Sequence, residues 1–127
     1  MISKLYCLFG EIFEIVQYIE WNIALLVCNS QKNRKQIDVD SLFVEMQEIT
    51  LGQVIGYARQ TGVFEEEDLS ELEYILDKRN YLAHQFFKKN DIVKHSNNES
   101  FLRNKIGELT NILLRFQDFN RWLAKNV

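Results

Sequence analysis

The stretch Leu5–Leu26, LYCLFGEIFEIVQYIEWNIALL, decides the fold class. Its apolar residues Leu5, Phe9, Ile12, Val16, Ile19, Ile23 and Leu26 are spaced alternately by four and three. That is a seam with a 3.5-residue repeat, the spacing by which helices pack in bundles and coiled coils. A strand would alternate with a period of two. The spacing predicts one long helix over 3–28. Glu11 and Glu14 interrupt the stretch, which speaks against a secretory signal. The longest clean apolar run, Ile23–Cys28, falls far short of a membrane span. The expectation is a cytoplasmic protein with no membrane partner.

Working outward, the same kind of stripe returns. Asn29–Asp40 is polar and reads as a loop carrying Lys32, Arg34 and Lys35. Residues 41–61 form a second helical region, capped at Asp40 or Ser41 and stopped at Gly62. Thr50 and Gln53 fit a capping box, so this region can break and restart there. A third helix is predicted over about 66–87. The acidic run Glu65–Asp68 suits the positive end of its dipole, and it lacks the Asp/Gly pattern of a calcium loop. Lys88–Asn98 reads as a polar loop. In the last helix, Leu102, Ile106, Leu109, Leu113, Phe116 and Leu123 repeat the seam, with Asn120 interrupting it. The 127 residues contain no proline, where average usage gives about six. Long helices with short connections explain its absence. Trp21 and Trp122 read as partly buried bundle residues in preference to base-stacking platforms. Together these features predict a single all-α domain over residues 1–127, an up-and-down helical bundle.

Charge and cysteine usage narrow the classes further. Residues 1–77 carry 5 basic and 14 acidic side chains, a balance of −9, and residues 78–127 carry 10 and 4, a balance of +6. Such a split either marks an anion-binding side or is neutralised within the folded bundle. Cys7 and Cys28 lie 21 residues apart on one predicted helix, too far to bridge. Buried free thiols are expected, as suits a reducing compartment. His84 and His95 lack zinc-ligand spacing, so neither a metal nor a cofactor is expected.

Chemistry concentrates late in the third helix. On a wheel at 100° per residue, Leu72, Leu76, Ala83 and Phe87 share a face with Arg79 at its middle. Asn80 sits at the edge, and His84 lies one turn beyond it. A guanidinium on an apolar seam is costly unless it is paired or reaches water. One reading pairs Arg79 with Glu45 or Glu48 of the second helix and leaves His84 as a core or rim histidine. The other reading makes the set a reactive site. Arginine stays protonated and offers phosphate a planar fork. Histidine as a residue type titrates near pH 6.5 and suits proton transfer. His95 in the polar loop reads as a solvated histidine.

The segment Arg79-Asn80-Tyr81-Leu82-Ala83-His84 resembles the R-N-x-x-x-H motif of the HEPN superfamily, and Gln85-Phe86-Phe87 is similar to the residues after that histidine in many bacterial members. The resemblance spans about nine residues in sequence and the whole chain in architecture. It implies a bundle of four or five helices and a metal-independent endoribonuclease. It also implies a homodimer in which two motifs face each other across a cleft, with RNA cut to a 2′,3′-cyclic phosphate. Arg79 and His84 stand about 140° apart on one helix, so two antiparallel copies surround a phosphate better than one does. On this reading Arg79 is the phosphate clamp, His84 the proton-transfer group and Asn80 the orienting residue, with a supporting glutamate from the second helix. Lys78, Lys88 and Lys89 form an RNA-binding rim, although an ordinary solvated loop would look the same for the latter two. The resemblance further implies a toxin or phage-defence component with an antitoxin of the nucleotidyltransferase type. In some members a tyrosine two residues after the motif histidine is AMPylated. Phe86 stands at that position here and has no hydroxyl, which leaves Tyr81 as an alternative target. The rival reading is an inactive bundle of the same kind that binds a nucleotidyltransferase or another protein.

Overall fold

The computed structural model describes residues 1–31 and 38–127. The basic residues Lys32, Arg34 and Lys35 of the expected loop lie outside the described residues. The fold is an all-helical bundle with six α-helices and no strand among the described residues. They are α1 (Ile2–Ser30), α2 (Val39–Glu48), α3 (Leu51–Thr61), α4 (Glu66–His84), α5 (Phe86–Asn90) and α6 (Glu99–Asn126). No helix among the described residues is long and apolar enough to cross a membrane.

The two longest helices, α1 and α6, form the most extensive packing pair, and α2 and α3 pack on α1. Leu5, Ile12, Val16, Ile19 and Ile23 of the predicted stripe are all buried, as are Leu102, Leu109, Leu113, Phe116 and Leu123. Phe9, Leu26 and Ile106, at the margins of the same stripes, are half-buried against this core. Each fully buried Leu or Ile contributes about 1.5–3 kcal/mol of transfer free energy, which makes the α1–α6 seam the main apolar stabilisation. Asn120, the polar interruption, meets a second amide: Asn22 Nδ2 donates to Asn120 Oδ1 at 2.8 Å.

Local signals set the helix boundaries. Asp38, not Asp40 or Ser41, caps α2, because its carboxylate accepts from the amides of Asp40 and Ser41 at 3.1 and 3.3 Å. At Thr50 the capping box is present: Gln53 N–H donates to Thr50 Oγ1 at 3.3 Å, and Thr50 N–H donates to Gln53 Oε1 at 3.1 Å. Gly62 closes α3 at φ 69°, a left-handed conformation that costs glycine little. Glu65, Glu66 and Glu67 are exposed at the start of α4, as a solvated helix start requires.

The third predicted helix ends earlier than expected. Gln85 leaves the helical region at φ −125° and ψ −29°, and its amide donates back to Tyr81 O at 2.8 Å. The chain then makes the short helix α5, so Lys88 and Lys89 are helical residues and not part of a loop. Asn90 fastens this corner by donating to Tyr81 Oη at 3.1 Å and to Phe86 O at 2.8 Å. Phe86 and Ile92 are thereby buried, at 0% and 1% exposure.

The charge split is partly neutralised inside the fold. Arg115 of α6 makes a two-point ion pair with Glu71 of α4, at 2.8 and 2.9 Å, and lies 3.5 Å above the Tyr74 ring centroid. Arg59 of α3 pairs with Glu73 of α4. Both cysteines are free, but only Cys28 is buried, and Cys7 lies on the exposed side of α1.

Candidate functional site

The buried face of α4 consists of Leu72, Ile75 and Leu82, and Phe86 continues it beyond the break. Ala83 and Phe87, expected on that face, are exposed. The stripe is therefore rotated by about one residue from the predicted one, and Arg79 still stands at its centre. Arg79 is half-buried, and its Nε is buried without a hydrogen-bond partner. Its Nη1 donates to Asn80 Oδ1 at 3.1 Å.

No carboxylate lies within ion-pair distance of Arg79 among the described residues. The second-helix glutamates expected as its partners are placed otherwise. Glu45 accepts from the Tyr57 hydroxyl at 2.9 Å, and Glu48 is exposed. The acid that feels Arg79 is Glu20 of α1. Burial pushes the Glu20 carboxyl above its ordinary value, and the positive charge of Arg79 works against that rise. Sequence reasoning missed Glu20. Its signal was its position four residues after Val16, at the margin of the apolar stripe.

Asn80 and His84 are both exposed and one helical turn apart. His84 occupies the last turn of α4. The structure thus joins Arg79 to Asn80 by a hydrogen bond and presents His84 on the surface a turn further on. Beside them the surface is aromatic. Phe87, 39% exposed, lies 4.9 Å from Phe9 and 6.1 Å from Tyr6 between ring centroids, and Tyr6 is itself 46% exposed.

Of the expected RNA-binding lysines, Lys88 and Lys89 are exposed in the last turn of α5. Lys78 is half-buried, with Nζ 5.8 and 5.9 Å from the ring centroids of Tyr74 and Tyr81. His95 is not merely solvated. It stacks on Phe101 at 4.3 Å, and its Nδ1 lies 3.1 Å from Asp91 O. Among the described residues no three His, Cys, Asp or Glu side chains converge as a metal site.

A second feature lies on α1 and α2. Between α1 and α2 lies a cavity of about 520 Å³ lined by Gln17, Tyr18, Glu20, Trp21, Met46 and Gln47. Trp21, read from the sequence as a partly buried bundle residue, is 48% exposed here and meets Phe43 edge-on at 4.9 Å. Trp122 is 38% exposed and stacks on Phe119 at 5.5 Å.

No protein-family model matches the chain, and neither a curated protein nor a solved structure matches it.

Proposed function

We propose that this chain is a metal-independent endoribonuclease of the HEPN type, acting as a toxin or phage-defence component in the cytoplasm. The observation that carries the reading is the state of Arg79. Its charge sits on an apolar seam, uncancelled by any carboxylate in ion-pair distance among the described residues, and it is tethered to Asn80 beside an exposed His84. A guanidinium kept in that condition is suited to an external anion, and a phosphodiester offers the planar pair of oxygens it prefers.

RNA carries its own nucleophile. A base removes the proton of the 2′-hydroxyl, the 2′-oxygen bonds to phosphorus, and the P–O5′ bond breaks as an acid protonates the leaving oxygen. The products are a 2′,3′-cyclic phosphate and a 5′-hydroxyl. Arg79 stabilises the charge that builds on the phosphorane oxygens. His84 serves the proton transfers, and Asn80 orients Arg79 through its amide oxygen. The five-residue separation of Arg79 and His84 puts them on different sides of α4. Two copies related by a two-fold axis supply both groups to one phosphate, with one His84 as base and the other as acid. The exposed Tyr6, Phe87 and Ala83 beside the motif give such a homodimer its apolar contact. Lys88 and Lys89, with Lys78, form the rim that tracks the RNA backbone. A cognate antitoxin of the nucleotidyltransferase type would act elsewhere than at Phe86, which has no hydroxyl and is wholly buried.

The test is RNA cleavage in EDTA by the wild type, Arg79→Ala and His84→Ala. Cutting by the wild type should fall by about a hundredfold or more in each variant, with folding retained. Equal cutting by all three sinks the assignment. Absence of cutting alongside capture of a nucleotidyltransferase partner favours the inactive binding bundle.

A further inference from the structure

The cavity between α1 and α2 sets one half-buried carboxylate, Glu20, between two exposed amides, Gln17 and Gln47. Gln17, Glu20 and Gln47 line it, and none of them has a hydrogen bond or ion pair among the described residues. Glu20 is half-buried, so its carboxylate is partly withdrawn from water and has no protein donor among the described residues. The buried Met46, 2% exposed, supplies a soft apolar wall. Trp21 offers a half-exposed indole held by Phe43. A flat apolar surface beside a carboxylate and two amides is what a heteroaromatic base needs: stacking on one side and donors and acceptors at its edge.

We propose that this cavity is a base-binding subsite, in which Trp21 stacks on a guanine and the Glu20 carboxylate accepts from its N1–H and N2 amino groups. Guanine is the base whose Watson–Crick edge places two donors side by side, matching the two oxygens of one carboxylate. Adenine and cytosine set a ring nitrogen acceptor beside their amino group, and uracil flanks its single N–H with two carbonyls. Each of these turns a lone pair toward Glu20. Glu20 relates the subsite to the Arg79 centre: it lines the cavity from α1, the helix on which α4 with Arg79 packs, and its carboxyl feels the Arg79 charge. The inference rests on the nuclease reading for its substrate, RNA, and names the base by which that RNA is chosen.

The whole 127-residue chain tests it with the four nucleoside 5′-monophosphates as probes. The protein has two tryptophans, so Trp122→Phe leaves Trp21 as the reporting fluorophore. Guanosine monophosphate should quench Trp21 saturably, and the other three should need about tenfold more or greater. Glu20→Gln, with an unchanged helical circular dichroism spectrum, should bring guanosine monophosphate down to the level of the others. An equal response to all four, no response, or selectivity that survives Glu20→Gln overturns the proposal. In parallel, RNA cut by the wild type in EDTA is sequenced at its ends. Guanine should be enriched at one fixed position relative to the break, and the enrichment should vanish in Glu20→Gln. Cutting without guanine selectivity overturns the base site and leaves the nuclease. Guanine selectivity without any cutting overturns the nuclease and leaves the base site.

Discussion

Asn22 and Asn120 face each other across the α1–α6 seam and share a hydrogen bond of 2.8 Å. Both are half-buried among apolar neighbours, so each amide depends on the other. Asn22→Ala or Asn120→Ala should cost about 1 kcal/mol, because the remaining amide keeps its desolvation and loses its partner. Replacing both with leucine should cost less than either single change. Urea unfolding of the three variants measures this, and additive losses would mean that the pair is not coupled.

The two thiols should differ sharply in reactivity. Burial pushes the Cys28 thiol up, and the negative charge of Asp40 adds to the effect, whereas Cys7 is exposed. Thiolate is the reactive form, so a disulfide reagent should modify one thiol promptly and the second only on unfolding. Cys7→Ser should remove the fast phase. A fast phase that persists would place Cys28 at the surface.

Glu20 should make stability depend on pH. Its folded carboxyl sits above the ordinary value, chiefly through burial, so the folded state binds the proton more tightly than the unfolded chain. That contribution is complete below the unfolded pKa and is lost as pH rises through the folded one. Glu20→Gln should therefore be more stable than the wild type at pH 7, and the gap should close toward about pH 4. Denaturation midpoints across that range decide it. A less stable variant at pH 7 would mean that attraction to Arg79 outweighs desolvation.

The aromatic surface at Tyr6 and Phe87 should hold two copies together. Phe87→Glu places like charges at the two-fold contact and should give a folded monomer in sedimentation, with RNA cutting lost in the same variant. A monomeric wild type that cuts RNA would remove the composite site.

Much of this architecture was legible because the stripes of α1 and α6 are long. With seven apolar positions on one 3.5-residue repeat, Leu5–Leu26 admits one reading. Thr50–Gln53 and Gly62 were equally plain, since capping chemistry is local. α4 was harder. The stripes Leu72, Leu76, Arg79, Ala83 and Leu72, Ile75, Arg79, Leu82, Phe86 share two members and differ by one residue of rotation. Leu82 won over Ala83, as transfer free energy requires, while Ile75 against Leu76 and Phe86 against Phe87 offer no difference in size to decide by. The break at Gln85 carries neither proline nor glycine and accompanies the burial of Phe86 and Ile92, which local sequence does not announce. Arg79, Asn80 and His84 could be singled out as a group. Glu20 carried a weaker signal, its place at the margin of the stripe, and otherwise resembles the exposed Glu11 and Glu14 on the same helix.

The pairing of α1 with α6 has a consequence for synthesis. α1 finds its principal partner only in α6, which is translated some seventy residues later, so this pair cannot close while the ribosome is still translating residues 99–126. Until then Leu5, Ile12, Ile19 and Ile23 lack their main cover, and the nascent chain is a client for whatever shields sticky surface in the cell. A transcript broken before the codons for residues 99–126 would yield a product with α1 uncovered, one that is cleared and does not work.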